Sequence, residues 1–201
     1  EPAPILWVQG GALAVGNLNE SPDLEIFVPT STGSWVLGFP EGDPLVIPLT
    51  WPLSIPSGVS MVDVDQDGDQ YVFVTRFGFD ERPLRNDGVG FTDITEEAGL
   101  VDGGLHSFSS SWADIDMDGD LDLAIGGHGE IQDDTFVLQI DQPGDTTRLY
   151  ENKGDGTFTN ISDRLPQRAR DAYTFIPTFV DLDGDDLVDL FLANDFPQYE
   201  P

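Results

Sequence analysis

Cysteine is absent from this 201-residue chain. Disulfides and thiolate-bound metals are thereby excluded, and oxygen-ligated metal is the remaining staple for the fold. Basic residues are scarce too: 8 Lys and Arg stand against 38 Asp and Glu, a formal net charge of −30. Nucleic acids and anionic membrane surfaces both require a basic face, so no nucleic-acid partner is expected. No run of 18 apolar residues occurs, and no membrane insertion is expected. The opening Glu1-Pro2-Ala3-Pro4 lacks the basic and apolar regions of a signal peptide, so a secreted protein is expected here in mature or excised form.

What is present suffices for a folded core: 39% of residues are hydrophobic and 10% aromatic. Pro- and Gly-rich stretches such as residues 40–44 and 52–56 suit turns between strands, and no linker divides the chain, so residues 1–201 are read as one domain.

Three segments share one pattern: residues 62–69, 113–123 and 180–190 each place Asp at alternate positions around a turn. Carboxylates arranged in this way repel one another at close range unless a hard cation such as calcium neutralises them. An EF-hand would need an acid at position 12, but counting from Asp63, Asp114 and Asp181 that position holds Val74, Ile125 and Leu192. In two of the three the acid falls instead at position 9, as Asp122 and Asp189. The apolar runs that follow, residues 123–125 and 190–192, read as buried strands.

A second unit recurs between the loops. Residues 84–94 and 149–161 align with one insertion, each with apolar flanks around an Asn/Asp/Gly cluster, the pattern of a hairpin. The repeat is thus strand, acidic loop, strand, hairpin. A degenerate fourth copy spans residues 15–26, and loop starts at 17, 63, 114 and 181 lie 46, 51 and 67 residues apart, in the range of propeller blades. The longest interval predicts a projecting insertion between about Gly126 and Asp145.

These residues resemble the FG-GAP/VCBS repeats of the integrin-α-like β-propeller superfamily, and in particular its ASPIC/UnbV-type branch, over most of residues 60–196. The resemblance implies an all-β fold, a propeller or partial propeller of about four blades. It also implies two to four structural calcium ions, held by loop positions 1, 3, 5 and 9 and the carbonyl of position 7. Carried onto this chain, the ligands are Asp63, Asp65, Asp67 and the Asp69 carbonyl; Asp114, Asp116, Asp118, Asp122 and the Asp120 carbonyl; and Asp181, Asp183, Asp185, Asp189 and the Leu187 carbonyl. Tyr71 at position 9 makes the first of these weaker or completed by water. The degenerate loop offers Asn17, Asn19, Ser21, Glu25 and the Asp23 carbonyl as a weak site, and its expected role is that of a structural relic of a blade.

Catalysis is not expected. His106 beside Ser107, Ser109, Ser110 and Ser111 invites a nucleophile-and-base reading, but the serines alternate with Phe108 on the approach to a strand. His128 reads as a loop residue ahead of a ligand role, and Arg164, Arg168 and Arg170 as partners in salt bridges between blades, with docking of an acidic partner as the second reading. Trp112 is assigned to the core; Trp35 and Trp51 are read chiefly as core, with a carbohydrate or protein contact as the second reading. Asn160-Ile161-Ser162 matches a glycosylation sequon, as does Asn19-Glu20-Ser21.

The function expected is that of a secreted or cell-surface calcium-binding module for adhesion, scaffolding or assembly, with a protein or further copies of itself as partner. The alternative is the propeller portion of an extracellular enzyme. Three full repeats bracketed by partial ones leave three arrangements open: a closed four-bladed ring, a fragment of a longer propeller, or an oligomer or filament. In each, Pro4–Gln9 or Leu190–Phe196 is expected to pair with another strand.

Overall fold

The computed structural model describes residues 12–19, 24–30, 33–38, 45–47, 55–88, 90–127 and 147–194. Four antiparallel sheets follow one another along the chain. The first joins β1 (Ala14–Gly16), β2 (Glu25–Thr30), β3 (Gly33–Gly38) and β4 (Leu45–Ile47). The second joins β5 (Ile55–Val62), β6 (Tyr71–Phe77), β7 (Arg82–Asn86) and β8 (Phe91–Asp93). In the third are β9 (Ser107–Ala113), β10 (Asp122–Gly127), β11 (Arg148–Asn152) and β12 (Phe158–Asn160), and in the fourth β13 (Thr174–Val180) and β14 (Asp189–Asn194). Each of the first three sheets is an up-and-down meander in which sequence neighbours pair, the construction of a propeller blade, and the described part of the fourth is a two-stranded hairpin.

The sheets stack through their leading strands. β1 and β2 lie on β5, β5 and β6 on β9, and β9 and β10 on β13. Stacking explains why the second strands are apolar throughout: β6 and β10 are buried along their whole length, because each is covered by a neighbouring sheet on both faces. Val72 and Val74 turn towards the first sheet, with Phe27 and Leu84, while Phe73 turns towards the third, with Leu123 and Ile125. Ala124, Leu149 and Ile161 form the third interface, against Phe179 and Leu190. Trp112 sits edge-on to Phe73, 5.2 Å between ring centres, and 6.0 Å from Phe158, which places it in the core as expected.

The two end sheets are covered on one face only among the described residues. β2 alternates buried and half-buried positions, and Val15 and Trp35 are exposed on the first sheet. Ile176 and Phe191 are exposed on the last, and the outer edge of β14 has no described partner strand.

Hydroxyls tie the leading strands together. Ser57 Oγ donates to the Ser107 carbonyl (2.5 Å), Trp112 Nε1 to Ser60 Oγ (2.9 Å) and Ser109 Oγ to the Phe175 carbonyl (2.6 Å). The backbone amide of Phe179 reaches Ser111 Oγ at 3.4 Å. The serine run beside His106 is thus engaged between sheets, and the His106 ring packs at a tilt against Phe77, 4.4 Å between ring centres.

Three expectations are corrected. Trp35, read chiefly as core, is exposed on the first sheet. Ile55 and Pro56 open β5 instead of forming a turn; a register shift between Pro56 and Gly58 accommodates the proline at the strand start. Arg164 and Arg170 pair with Glu151 (2.9 Å) and Asp163 (3.1 Å), acids close by in sequence, so these bridges serve the connection between β12 and β13, not two stacked blades. Trp7, Trp51, His128, residues 40–44, the insertion from residue 128 to 145, and Pro4–Gln9 lie outside the described residues.

Candidate metal centres

All four acidic loops join the first strand of a sheet to its second, and they enter and leave in the same register. The bracketing pairs are Gly16 and Glu25, Val62 and Tyr71, Ala113 and Asp122, and Val180 and Asp189. Each loop therefore presents eight residues from the same end of its sheet.

The local reason is a repeated set of Asp-to-amide bonds. Position 1 accepts the amide of position 6: Asp63 from Gly68 (3.1 Å), Asp114 from Gly119 (3.0 Å) and Asp181 from Asp186 (3.1 Å). Position 5 accepts the amide of position 7: Asp67 from Asp69 (2.8 Å), Asp118 from Asp120 (3.0 Å) and Asp185 from Leu187 (2.9 Å). These bonds require left-handed backbone at position 6, where φ is 96° at Gly68, 99° at Gly119 and 64° at Asp186. Asp substitutes for glycine in the last loop because its short polar side chain tolerates that conformation. Position 4 is left-handed as well, at Gln66, Met117 and Gly184, a feature the sequence pattern did not reveal.

Position 9 closes the loop. Asp122 Oδ2 accepts the Ile115 amide (2.9 Å), Asp189 Oδ2 the Leu182 amide (3.0 Å) and Glu25 Oε2 the Leu18 amide (2.9 Å), the same bond from position 2 in three loops. In the remaining loop the Tyr71 hydroxyl donates to Asp65 Oδ2 (2.9 Å).

Folding in this way brings three carboxylates together in each of three loops. Asp63, Asp65 and Asp67 converge, as do Asp114, Asp116 and Asp122, and Asp181, Asp183 and Asp189, with one oxygen of each within 4.8 Å of the others. Asp118 and Asp185, expected as ligands at position 5, are not among the converging carboxylates; each accepts the amide of position 7. In the degenerate loop Asn19 Nδ2 donates to Glu25 Oε1 (2.6 Å), and the Asn17 side chain accepts the Asn19 amide (3.1 Å); Ser21 and Asp23 lie outside the described residues.

Electrostatics distinguish the loops. Loss of solvent, with Asp118 adjacent, pushes the Asp116 carboxyl up, and burial pushes Asp122 up despite two backbone amides. The Asp181 carboxyl is held down by the amides of Gly184, Asp186 and Asp185. Burial and the bond to Asp65 raise the Tyr71 phenol, so it stays a neutral donor. The donor set is all oxygen and anionic, Asp63 Oδ1 and Asp65 Oδ1 are buried without a hydrogen-bond partner, and the crowded carboxyls would be relieved by a divalent ion. These residues fit a hard cation such as calcium.

Adjacent loops are joined by residues that sequence reasoning had placed only as hairpin turns. Asn152, on the hairpin of the third sheet and 1% exposed, donates from Nδ2 to the Val64 carbonyl (2.7 Å) of the preceding loop. Asn86 repeats the bond one sheet earlier, to the Leu18 carbonyl at 3.0 Å. Their matching positions in the two aligned hairpins, each before a glycine, were the available signal.

At the opposite end of the sheets a buried ion network was not foreseen. Arg148 meets Glu81 (2.9 Å), Asp102 and Ser107, all nearly without solvent, and links the second sheet to the third. Asn160 is exposed at the end of β12, and its side chain accepts the Ser162 amide at 2.9 Å.

Stacked meander sheets with aspartate loops at equivalent turns define an all-β, propeller-like repeat protein. Residues 132–192 match the FG-GAP-like repeat family, a stretch that takes in β11, β12, β13, the Asp181 loop and most of β14. The match agrees with the resemblance read from the residues over that stretch, and it is to the repeat, not to the ASPIC/UnbV branch. No curated protein matches the chain.

Proposed function

We propose that this chain is part of a secreted, calcium-stabilised β-propeller that serves adhesion, scaffolding or assembly through a protein partner or further copies of itself. One observation carries the reading: in three successive loops of the same register, three carboxylate oxygens converge within 4.8 Å. Calcium at these points is structural in this reading, because protein oxygens supply the coordination and the ion ties the first strand of a blade to its second.

Assembly is supported by the open faces of the end sheets. Phe191 (52% exposed) and Ile176 (54%) on the last sheet, and Trp35 (40%) and Val15 (52%) on the first, are apolar surface of the kind that internal interfaces bury. Trp35 also offers a platform for carbohydrate. The role is non-catalytic in this reading, since the serines near His106 are engaged between sheets. No helix among the described residues is long and apolar enough to cross a membrane.

The test is size by light scattering, in saturating calcium, of the chain and of Phe191→Glu. Association that the substitution abolishes supports assembly through the open sheet. A chain that is monomeric at all concentrations, with the variant indistinguishable, removes self-assembly and leaves a foreign protein partner as the adhesive role.

A further inference from the structure

The Asp63 and Asp114 loops are bridged twice, and both bridges end on the peptide groups that set ligand geometry. Gln66, at position 4 of its loop, donates from Nε2 to the Gly119 carbonyl (2.7 Å) and to Asp120 Oδ1 (2.6 Å). Gly119 and Asp120 are positions 6 and 7 of the next loop, where the chain makes its left-handed turn and presents a carbonyl. Asn152 makes the second bridge. Its Nδ2 reaches the Val64 carbonyl (2.7 Å), between Asp63 and Asp65, and the Leu121 carbonyl (3.1 Å), next to Asp122. Its backbone amide donates to Asp122 Oδ1 at 2.9 Å.

The hairpin that carries Asn152 is itself seated on the second loop. Gly154 lies so close to Asp120 that a Cβ there would fall 2.4 Å from Oδ2, and its φ of 75° is left-handed. Moving one loop therefore moves the peptide planes of the other. Among the described residues no side-chain hydrogen bond joins the Asp114 loop to the Asp181 loop, which makes the latter an internal control.

We propose that the Asp63 and Asp114 loops bind calcium cooperatively, with Gln66 and Asn152 as the positioning residues that transmit the coupling, and that the Asp181 loop binds independently. The proposal rests on the calcium reading above. Ordering one loop with an ion fixes the bridges, so the second loop loses less freedom when its own ion arrives, which is positive coupling by linkage. Coupling of this kind amounts to about 5-fold or more in affinity.

The experiment is a calcium chloride titration of the full chain, followed by two-dimensional nuclear magnetic resonance. The amides of Gly68, Gly119 and Asp186 report the three loops separately. Asp65→Asn, which disables the first loop without changing its shape, is expected to weaken calcium at the Asp114 loop about 5-fold or more, leaving the Asp181 loop within about twofold. By reciprocity Asp116→Asn weakens the Asp63 loop by the same factor. Gln66→Asn, too short to span the gap yet tolerant of left-handed backbone, is expected to shrink that dependence while all three loops still bind.

An Asp114-loop affinity indifferent to Asp65→Asn overturns the coupling, as does an equal loss at the Asp181 loop, which would mark a global effect. An undiminished dependence in Gln66→Asn removes Gln66 from the path. In these outcomes the wild-type chain still saturates with calcium. If no loop of the wild type responds to calcium, the underlying reading fails and the coupling with it.

Discussion

Replacing Asn152 by alanine removes side-chain bonds without touching a metal ligand, and its cost can be worked from the structure. The substitution deletes the bonds to the Val64 carbonyl (2.7 Å, buried) and the Leu121 carbonyl (3.1 Å), and the acceptor of the Gly154 amide (3.0 Å). A buried backbone group left without its partner costs about 1–3 kcal/mol, and less where water enters. With one bond fully buried and two partly so, Asn152→Ala is expected to destabilise the fold by about 3–5 kcal/mol, a large share of the stability of a typical domain.

Asn86→Ala loses two such bonds, to Leu18 and Gly88, both 3.0 Å, and is expected to cost about 2–3 kcal/mol. Asn152→Asp keeps the shape and the acceptor for Gly154 but removes both donors, so it is expected to cost at least as much as alanine. Urea unfolding in saturating calcium reads the difference, with tryptophan fluorescence, to which Trp112 at the same interface contributes, as the signal. A loss below about 1 kcal/mol for Asn152→Ala, or a larger loss for Asn86→Ala, refutes the reasoning.

Two further outcomes follow from the loops and from the buried ion network. Asp116→Ala is expected to weaken calcium at its loop by about tenfold or more, and Asp120→Ala by less, since the proposed coordination uses only its backbone; equal losses by calorimetry would mean the loop register is wrong. Burial raises the Glu81 carboxyl despite Arg148, so the folded state holds this proton to higher pH than the unfolded chain does. Its ionisation therefore costs stability as pH rises from the unfolded value of about 4.3 through the raised folded one. Glu81→Gln is expected to lack that fall, so the stability gap between wild type and variant should change across the acid limb; parallel curves by urea unfolding would contradict it.

The sheets were legible because the pattern repeats. Apolar runs at residues 123–125 and 190–192 became β10 and β14, and both aligned hairpins appeared as β7–β8 and β11–β12. Asp at alternate positions was enough to locate each loop, and Asp186 at the left-handed position followed from its side chain. What the sequence hid were long-range partners. Asn152 and Val64 are 88 residues apart, and nothing local distinguishes a turn asparagine from one that bridges two blades. Glu81 and Arg148, 67 residues apart, read as ordinary surface charges until stacking of the second and third sheets removes their solvent.

The central claim is that calcium in the aspartate loops stabilises the blades, tying the first strand of each to its second. It is tested most directly by thermal unfolding of the full chain in saturating calcium and again in excess chelator, with magnesium as the control ion. Binding at a concentration of about 100 times Kd contributes about 2.7 kcal/mol for each occupied loop. At about 2–4 °C per kcal/mol in a chain of this size, release of two to four ions by chelation is expected to lower the melting temperature by about 10 °C or more. A melting temperature unchanged in excess chelator would contradict the account.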